Sequence, residues 1–121
     1  MTNNNLTDSV ISINTKESFK NLVIENNQPI LIDFWAEWCH PCRALAPIIE
    51  EISILYKNQI KVYKINIDEN PDIAHEFTVR SIPTLILFNN SRIVGRATGF
   101  LQKEKIINMI DEKLSLTPKK V

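Results

Sequence analysis

The sequence predicts an α/β domain built on a mixed sheet with helices on both faces. Three observations carry this. Strand and helix patterns alternate from Val10 to about Phe77, and Ile30-Leu31-Ile32-Asp33-Phe34-Trp35 is a nearly unbroken apolar run of the kind covered on both faces. The last two strand patterns, Thr84 to Phe88 and Ile93 to Thr98, flank the turn-forming Asn89-Asn90-Ser91-Arg92. Alternating βαβ units imply parallel strands, and a terminal hairpin adds an antiparallel pair.

Taken in order, Val10 to Ile13 is a short strand, and Asn14 with Glu17 resembles a capping box opening a helix across Phe19, Leu22 and Val23. Asn26, Asn27 and Pro29 stop that helix before the apolar strand. After a short turn bearing Cys39, a long helix runs to about Tyr56, with Leu45, Ile48, Ile49, Ile52 and Leu55 at helical spacing and Pro47 expected to kink it. Ile60 to Ile67 is a strand. Asn70-Pro71 opens a helix through Ile73, Ala74 and Phe77, since proline suits the first helical turn. After the hairpin, Leu101 to Leu114 is an amphipathic helix. Polar Met1 to Asp8 and Thr117 to Val121 read as flexible ends, leaving one domain over 9–116.

A chain of 121 residues with 44% hydrophobic content supports one core. Fourteen basic and fourteen acidic residues are interspersed, which argues against a general nucleic-acid binder. The aromatic residues Phe34, Trp35, Trp38 and Phe88 read as core and groove packing, not as a base-stacking platform. The longest apolar runs, Pro29 to Trp35 and Ile82 to Phe88, fall far short of the roughly 18 residues of a membrane span, and Met1 to Lys20 has no secretion-signal pattern. A soluble cytoplasmic protein is expected.

The two cysteines, Cys39 and Cys42, are separated by two residues. A bridge between them closes too short a loop to staple a fold, so the pair reads as redox or metal chemistry. Zinc needs further ligands; only His40 and His75 remain as nitrogen donors, on different helices, so no metal site is expected. The pair opens the long helix. Free N–H groups and the positive end of the helix dipole there favour a thiolate at Cys39, which becomes a nucleophile. Cys42, one turn on, can attack the resulting mixed disulfide and release the reduced client. Pro41 between them fixes a backbone angle suited to the helix start.

Asp33 falls inside the apolar strand, where a carboxylate needs a reason. We read it as a buried acid with a raised pKa that accepts the proton of Cys42, directly or through water, with Lys64 on the next strand moderating the shift. The bland alternative is a turn or cap role. Ile82-Pro83 is either an ordinary strand start or a cis peptide that offers the main chain of Ser81 and Ile82 to an extended client.

Together these residues resemble the thioredoxin family. The resemblance rests on Asp33-Phe34-Trp35-Ala36-Glu37-Trp38-Cys39, the following Pro41-Cys42, Pro47, Lys64 within Ile65-Asn66-Ile67-Asp68, Ile82-Pro83-Thr84, and Gly99, in that order over roughly Val10 to Leu114. It implies a thioredoxin fold with a mixed five-stranded sheet flanked by four helices. It further implies that Cys39 is the nucleophile, Cys42 the resolving thiol, and Asp33 and Lys64 the buried pair behind them. Trp38 then flanks the site, Pro83 is cis opposite the cysteines and Gly99 lines the client groove; His40, Pro41, Ser81 and Ile82 are expected as further client contacts beside them. No bound cofactor is implied. Electrons would come from NADPH through a thioredoxin reductase, the clients would be disulfide-containing proteins, and the protein would act as a monomer in cell redox homeostasis.

Three positions depart from the family pattern: His40 where glycine is typical, Ser81 where glycine is common, and Asn90-Ser91 where Asn-Gly is usual. An imidazole between the cysteines bears on redox poise. A more oxidising relative of the oxidase or isomerase kind, or a non-catalytic binding module, is the alternative function.

Overall fold

The computed structural model describes residues 10–116. The expected flexible ends at 1–8 and 117–121 lie outside the described residues. Nine elements follow the predicted order in the described residues. They are β1 (Ile11–Ser12), α1 (Lys16–Phe19, its last turn widened to a π-helix over Lys20–Ile24), β2 (Ile30–Trp35), α2 (His40–Leu55), β3 (Lys61–Asn66), α3 (Pro71–Glu76), β4 (Thr84–Asn89), β5 (Arg92–Thr98) and α4 (Lys103–Lys113).

The five strands form one sheet in the order β1-β3-β2-β4-β5. β3 runs parallel to both β1 and β2, whereas β4 is antiparallel to β2 and to β5. The mixed sheet follows from the connections. The connections through α1 and α2 return the chain parallel, but the one through α3 brings β4 back antiparallel to β2, a reversal the βαβ pattern does not predict, and the two-residue turn at Asn90-Ser91 reverses the chain again into β5. β2 is central, which explains why its run is apolar on both sides.

Alternation along the strands sorts the side chains into two cores. Ile30, Ile32, Phe34, Tyr63, Ile65, Ile86 and Phe88 pack with Phe19 and Val23 of α1 and with Ile73 and Ala74 of α3. Leu31, Val62, Leu85 and Leu87 pack with Leu45, Ile49, Ile52 and Tyr56 from the α2 side, and with Ile106, Ile107 and Ile110 of α4. Phe19, Phe77 and Phe88 meet in tilted and edge-on pairs, with centroids 5.2 to 6.3 Å apart. Beneath α4 the buried Tyr56 hydroxyl donates to Asp111 Oδ1 at 2.6 Å, and burial with the adjoining carboxylate pushes that phenol well above its ordinary pKa.

Local details depart from the sequence reading. The cap of α1 is Thr15, whose Oγ1 accepts the Ser18 N–H at 3.0 Å, and not Asn14. A hydroxyl three residues ahead of a free N–H makes that bond directly, and the chain enters the helix one residue later than the Asn14-Glu17 spacing suggests. α2 continues through Pro47 to Leu55, and α4 starts at Lys103, two residues after Leu101.

At the hairpin turn both Asn90 (φ 54°) and Ser91 (φ 65°) adopt left-handed backbone. Glycine would do so freely; here the Ser91 hydroxyl offsets the cost by donating to Ile24 O at 2.6 Å and Asn26 O at 3.2 Å, while the Asn90 N–H donates to Asn27 O. A bulge between Leu87 and Phe88 adjusts the register behind this turn.

Candidate active site

The site lies where β2 ends and α2 begins. A turn closed by the Cys39 N–H donating to Ala36 O at 3.2 Å delivers the chain to the helix, and Arg43 reaches back to bond Glu37 O at 2.7 Å. Cys39 is the N-cap of α2, in extended backbone, with His40 and Pro41 forming the exposed first turn. Cys39 and Cys42 form a disulfide with a Cα–Cα separation of 5.2 Å. The Cys42 N–H donates to Cys39 Sγ at 3.2 Å, so one free N–H of the helix start is aimed at that sulfur. Both cysteines are buried, against Ala36 and half-buried Trp35, Ile67 and Ile82.

On β2, two residues before Trp35, Asp33 is 4% exposed, and its Oδ1 takes no hydrogen bond from the protein. Its parity with Leu31 points it to the sheet face that α2 covers. Burial pushes the carboxyl up to about 7, against a smaller downward pull from the Lys64 charge. Lys64 is register partner to Asp33 across the β2–β3 ladder, and its Nζ sits 5.5 Å from the Trp35 ring centroid.

The Ile82-Pro83 peptide is cis. Pro83 is buried, Ile82 lies against the cysteines, and Ser81 is exposed, its carbonyl accepting the Thr84 hydroxyl at 2.6 Å. Gly99, at φ +93°, donates its N–H to Pro83 O at 2.7 Å, and a side chain there would meet nothing within 4 Å. Of the predicted site residues, His40 and Pro41 form the helix start between the cysteines, Ile82 packs against their cluster, Gly99 bonds to Pro83, and Asp33 and Lys64 are paired in register on β2 and β3. Trp38 is 66% exposed, and its Nε1–H donates to Asp68 Oδ2 at 2.8 Å.

Sequence reasoning missed Ile67 and Asp68 as site residues. The Asn66-x-Asp68 spacing ahead of Asn70-Pro71 signals a turn, but only the fold brings that turn to Trp38 and the disulfide. Phe100, exposed and next to Gly99, also escaped notice.

The family model for Thioredoxin matches residues 10–112. The chain belongs to the thioredoxin family. It is 47% identical over 111 residues to the thioredoxin of Rickettsia felis, covering 92% of this chain and 98% of that relative. Thioredoxin 1 of Synechococcus elongatus is 43% identical over 106 residues, covering 88% of this chain and 99% of its own. The thioredoxin of Buchnera aphidicola subsp. Acyrthosiphon pisum is 45% identical over 101 residues, covering 84% and 94%. As a thioredoxin, the chain is a protein-disulfide reductase that works by thiol-disulfide exchange through Cys39 and Cys42. Thioredoxins use this redox-active disulfide without a bound cofactor. Among the described residues no helix is long and apolar enough to cross a membrane.

Proposed function

We propose that this thioredoxin reduces client disulfides with Cys39 as nucleophile and Cys42 as resolving thiol, the buried Asp33 carboxyl handling the proton. The observation that carries the assignment is the N-cap position of Cys39 with the Cys42 N–H aimed at its sulfur, which favours a thiolate at Cys39 over one at Cys42.

In the reduced protein, Cys39 thiolate attacks one sulfur of the client disulfide. A Cys39–client mixed disulfide forms and the other client sulfur leaves as thiolate. Cys42 then loses its proton to Asp33, directly or through water, and attacks Cys39 Sγ. The mixed disulfide breaks, the second client sulfur departs, and the Cys39–Cys42 bond forms. Two electrons pass from the protein to the client. A carboxyl raised to about 7 suits this role, because it exchanges protons near neutral pH. Lys64 keeps it from rising further.

Trp38, His40, Pro41, Ser81, Ile82, Pro83 and Gly99 are proposed to contact the client segment. The left-handed backbone and open flank of Gly99 support a close backbone approach there. Electrons return to the disulfide from NADPH through a thioredoxin reductase, in an electron-transport role that maintains cell redox homeostasis. We assign it to the cytoplasm, where a dithiol reductase meets a reducing pool, as a monomer folded over 9–116. Insulin reduction driven by dithiothreitol tests the assignment. Activity should vanish in Cys39→Ser, and Cys42→Ser should trap a mixed disulfide; a Cys39→Ser variant that still reduces insulin overturns it.

A further inference from the structure

We propose that Asn66 is a positioning residue that, through Asp68, sets the Trp38 indole beside the disulfide. Asn66 ends β3 opposite Trp35 and is 8% exposed, so its side-chain amide needs partners. Its Oδ1 accepts the Asp68 N–H at 2.8 Å and the Glu69 N–H at 3.3 Å. Its carbonyl accepts both the Asn70 N–H and the Asn70 Nδ2, each at 3.0 Å. The Ile67 N–H donates to Trp35 O at 2.9 Å, carrying the β2–β3 ladder into the loop, and the Ile67 side chain packs on the cysteines. The segment between β3 and α3 is therefore braced from both ends, and Asp68 projects from it.

The Asp68 carboxylate accepts the Trp38 indole N–H from 30 residues away. An aromatic ring as exposed as Trp38 samples several rotamers unless something fixes it, and ordering it at the moment of binding weakens affinity. Asp68 is exposed as well, so its own carboxylate is fixed only as far as its backbone is. Asn66 supplies that fixity from the buried side. The inference rests on the reading that Trp38 touches the client.

The test pairs hydrogen exchange of the Trp38 indole N–H, followed by NMR on the oxidised protein, with the KM for insulin in the dithiothreitol-driven assay. In Asn66→Ala the indole proton should exchange about tenfold faster and KM should rise about threefold with kcat nearly unchanged. Asn66→Asp keeps an acceptor oxygen and should return both values toward wild type. Asp68→Ala, on the exposed side of the loop, should reproduce the Asn66→Ala changes without disturbing a buried residue. Wild-type indole exchange in Asp68→Ala and Asn66→Ala overturns the proposal, as does faster exchange in Asn66→Ala that Asn66→Asp fails to reverse. Trp38→Ala serves as the separate control: a wild-type KM there removes Trp38 from the client contacts, while the exchange data still judge Asn66.

Discussion

Asp33 stands directly opposite Lys64 in the β2–β3 register, yet its Oδ1 takes no hydrogen bond from the protein. The carboxyl is therefore raised by burial and only partly restrained by charge.

Stability should carry that signature. The unfolded chain releases the Asp33 proton near the ordinary carboxyl value of 3.8, whereas the folded protein holds it to about 7. Between those values the folded state binds more protons, so wild-type stability falls as pH rises from about 4 to 7 and levels off above. Asp33→Asn should remove the slope and be more stable by about 2–4 kcal/mol at pH 8, with little difference at pH 4. Denaturant melts of the oxidised proteins at both pH values check this, and equal midpoints at pH 8 would contradict the burial account. The same variant should resolve mixed disulfides about tenfold more slowly while forming them at a near-normal rate, as read in stopped-flow single turnovers.

Alkylation should separate the two thiols. Both cysteines are buried, but Cys39 holds the capping position with the Cys42 N–H aimed at its sulfur, which favours its thiolate, so brief iodoacetamide treatment of the reduced protein should label Cys39 first. Mass spectrometry of the digested protein gives the answer; equal labelling rates would reverse the assignment of roles.

His40 occupies the exposed first position of α2, beside Cys39. An imidazole that donates to or carries charge near the Cys39 sulfur favours the thiolate, hence the reduced form, and makes the disulfide a stronger oxidant. His40→Gly should lower the potential by roughly 20 to 50 mV in a glutathione titration, taking about 30 mV per 1.4 kcal/mol. A glycine variant that is equally or more oxidising would show that His40 leaves the couple alone.

Gly99→Ala separates conformational cost from steric cost. At φ +93° any Cβ strains the backbone, although no atom lies within 4 Å of where it would go. The variant should lose about 1–2 kcal/mol in urea denaturation, with no rearrangement of neighbours in its NMR spectrum beyond adjacent residues. Gly95→Ala, with Met109 Sδ at 3.4 Å and no positive φ, should cost less.

Much of this architecture was legible because period alone distinguishes its parts. The run Ile30 to Trp35, the helical spacing from Leu45 to Leu55 and the Asn90-Ser91 turn each announce one element, and a mixed sheet follows from their order, although the reversal of β4 against β2 after α3 was not legible there. The disulfide pair and the anomalous Asp33 were legible as chemistry that their surroundings do not otherwise explain. What stayed hidden depends on contacts between distant segments. Thr15 rather than Asn14 caps α1 because backbone direction, not composition, chooses between adjacent candidates. The π-turn at Lys20–Ile24 and the bulge at Leu87/Phe88 answer to packing and register. Asp68 and Ile67 sit in a turn that any reader would mark as a turn, but their partners are Trp38 and the cysteines, on another element.

The Ser91 hydroxyl lies at the opposite pole of the sheet from the cysteines, and its bond to Ile24 O joins residues 67 positions apart. With Asn90 bonded to Asn27, the C-terminal hairpin and the N-terminal helix close a single circuit around the start of β2. Neither end of that circuit can fray alone, so amide exchange at Asn90 should follow the opening of the hairpin as a whole.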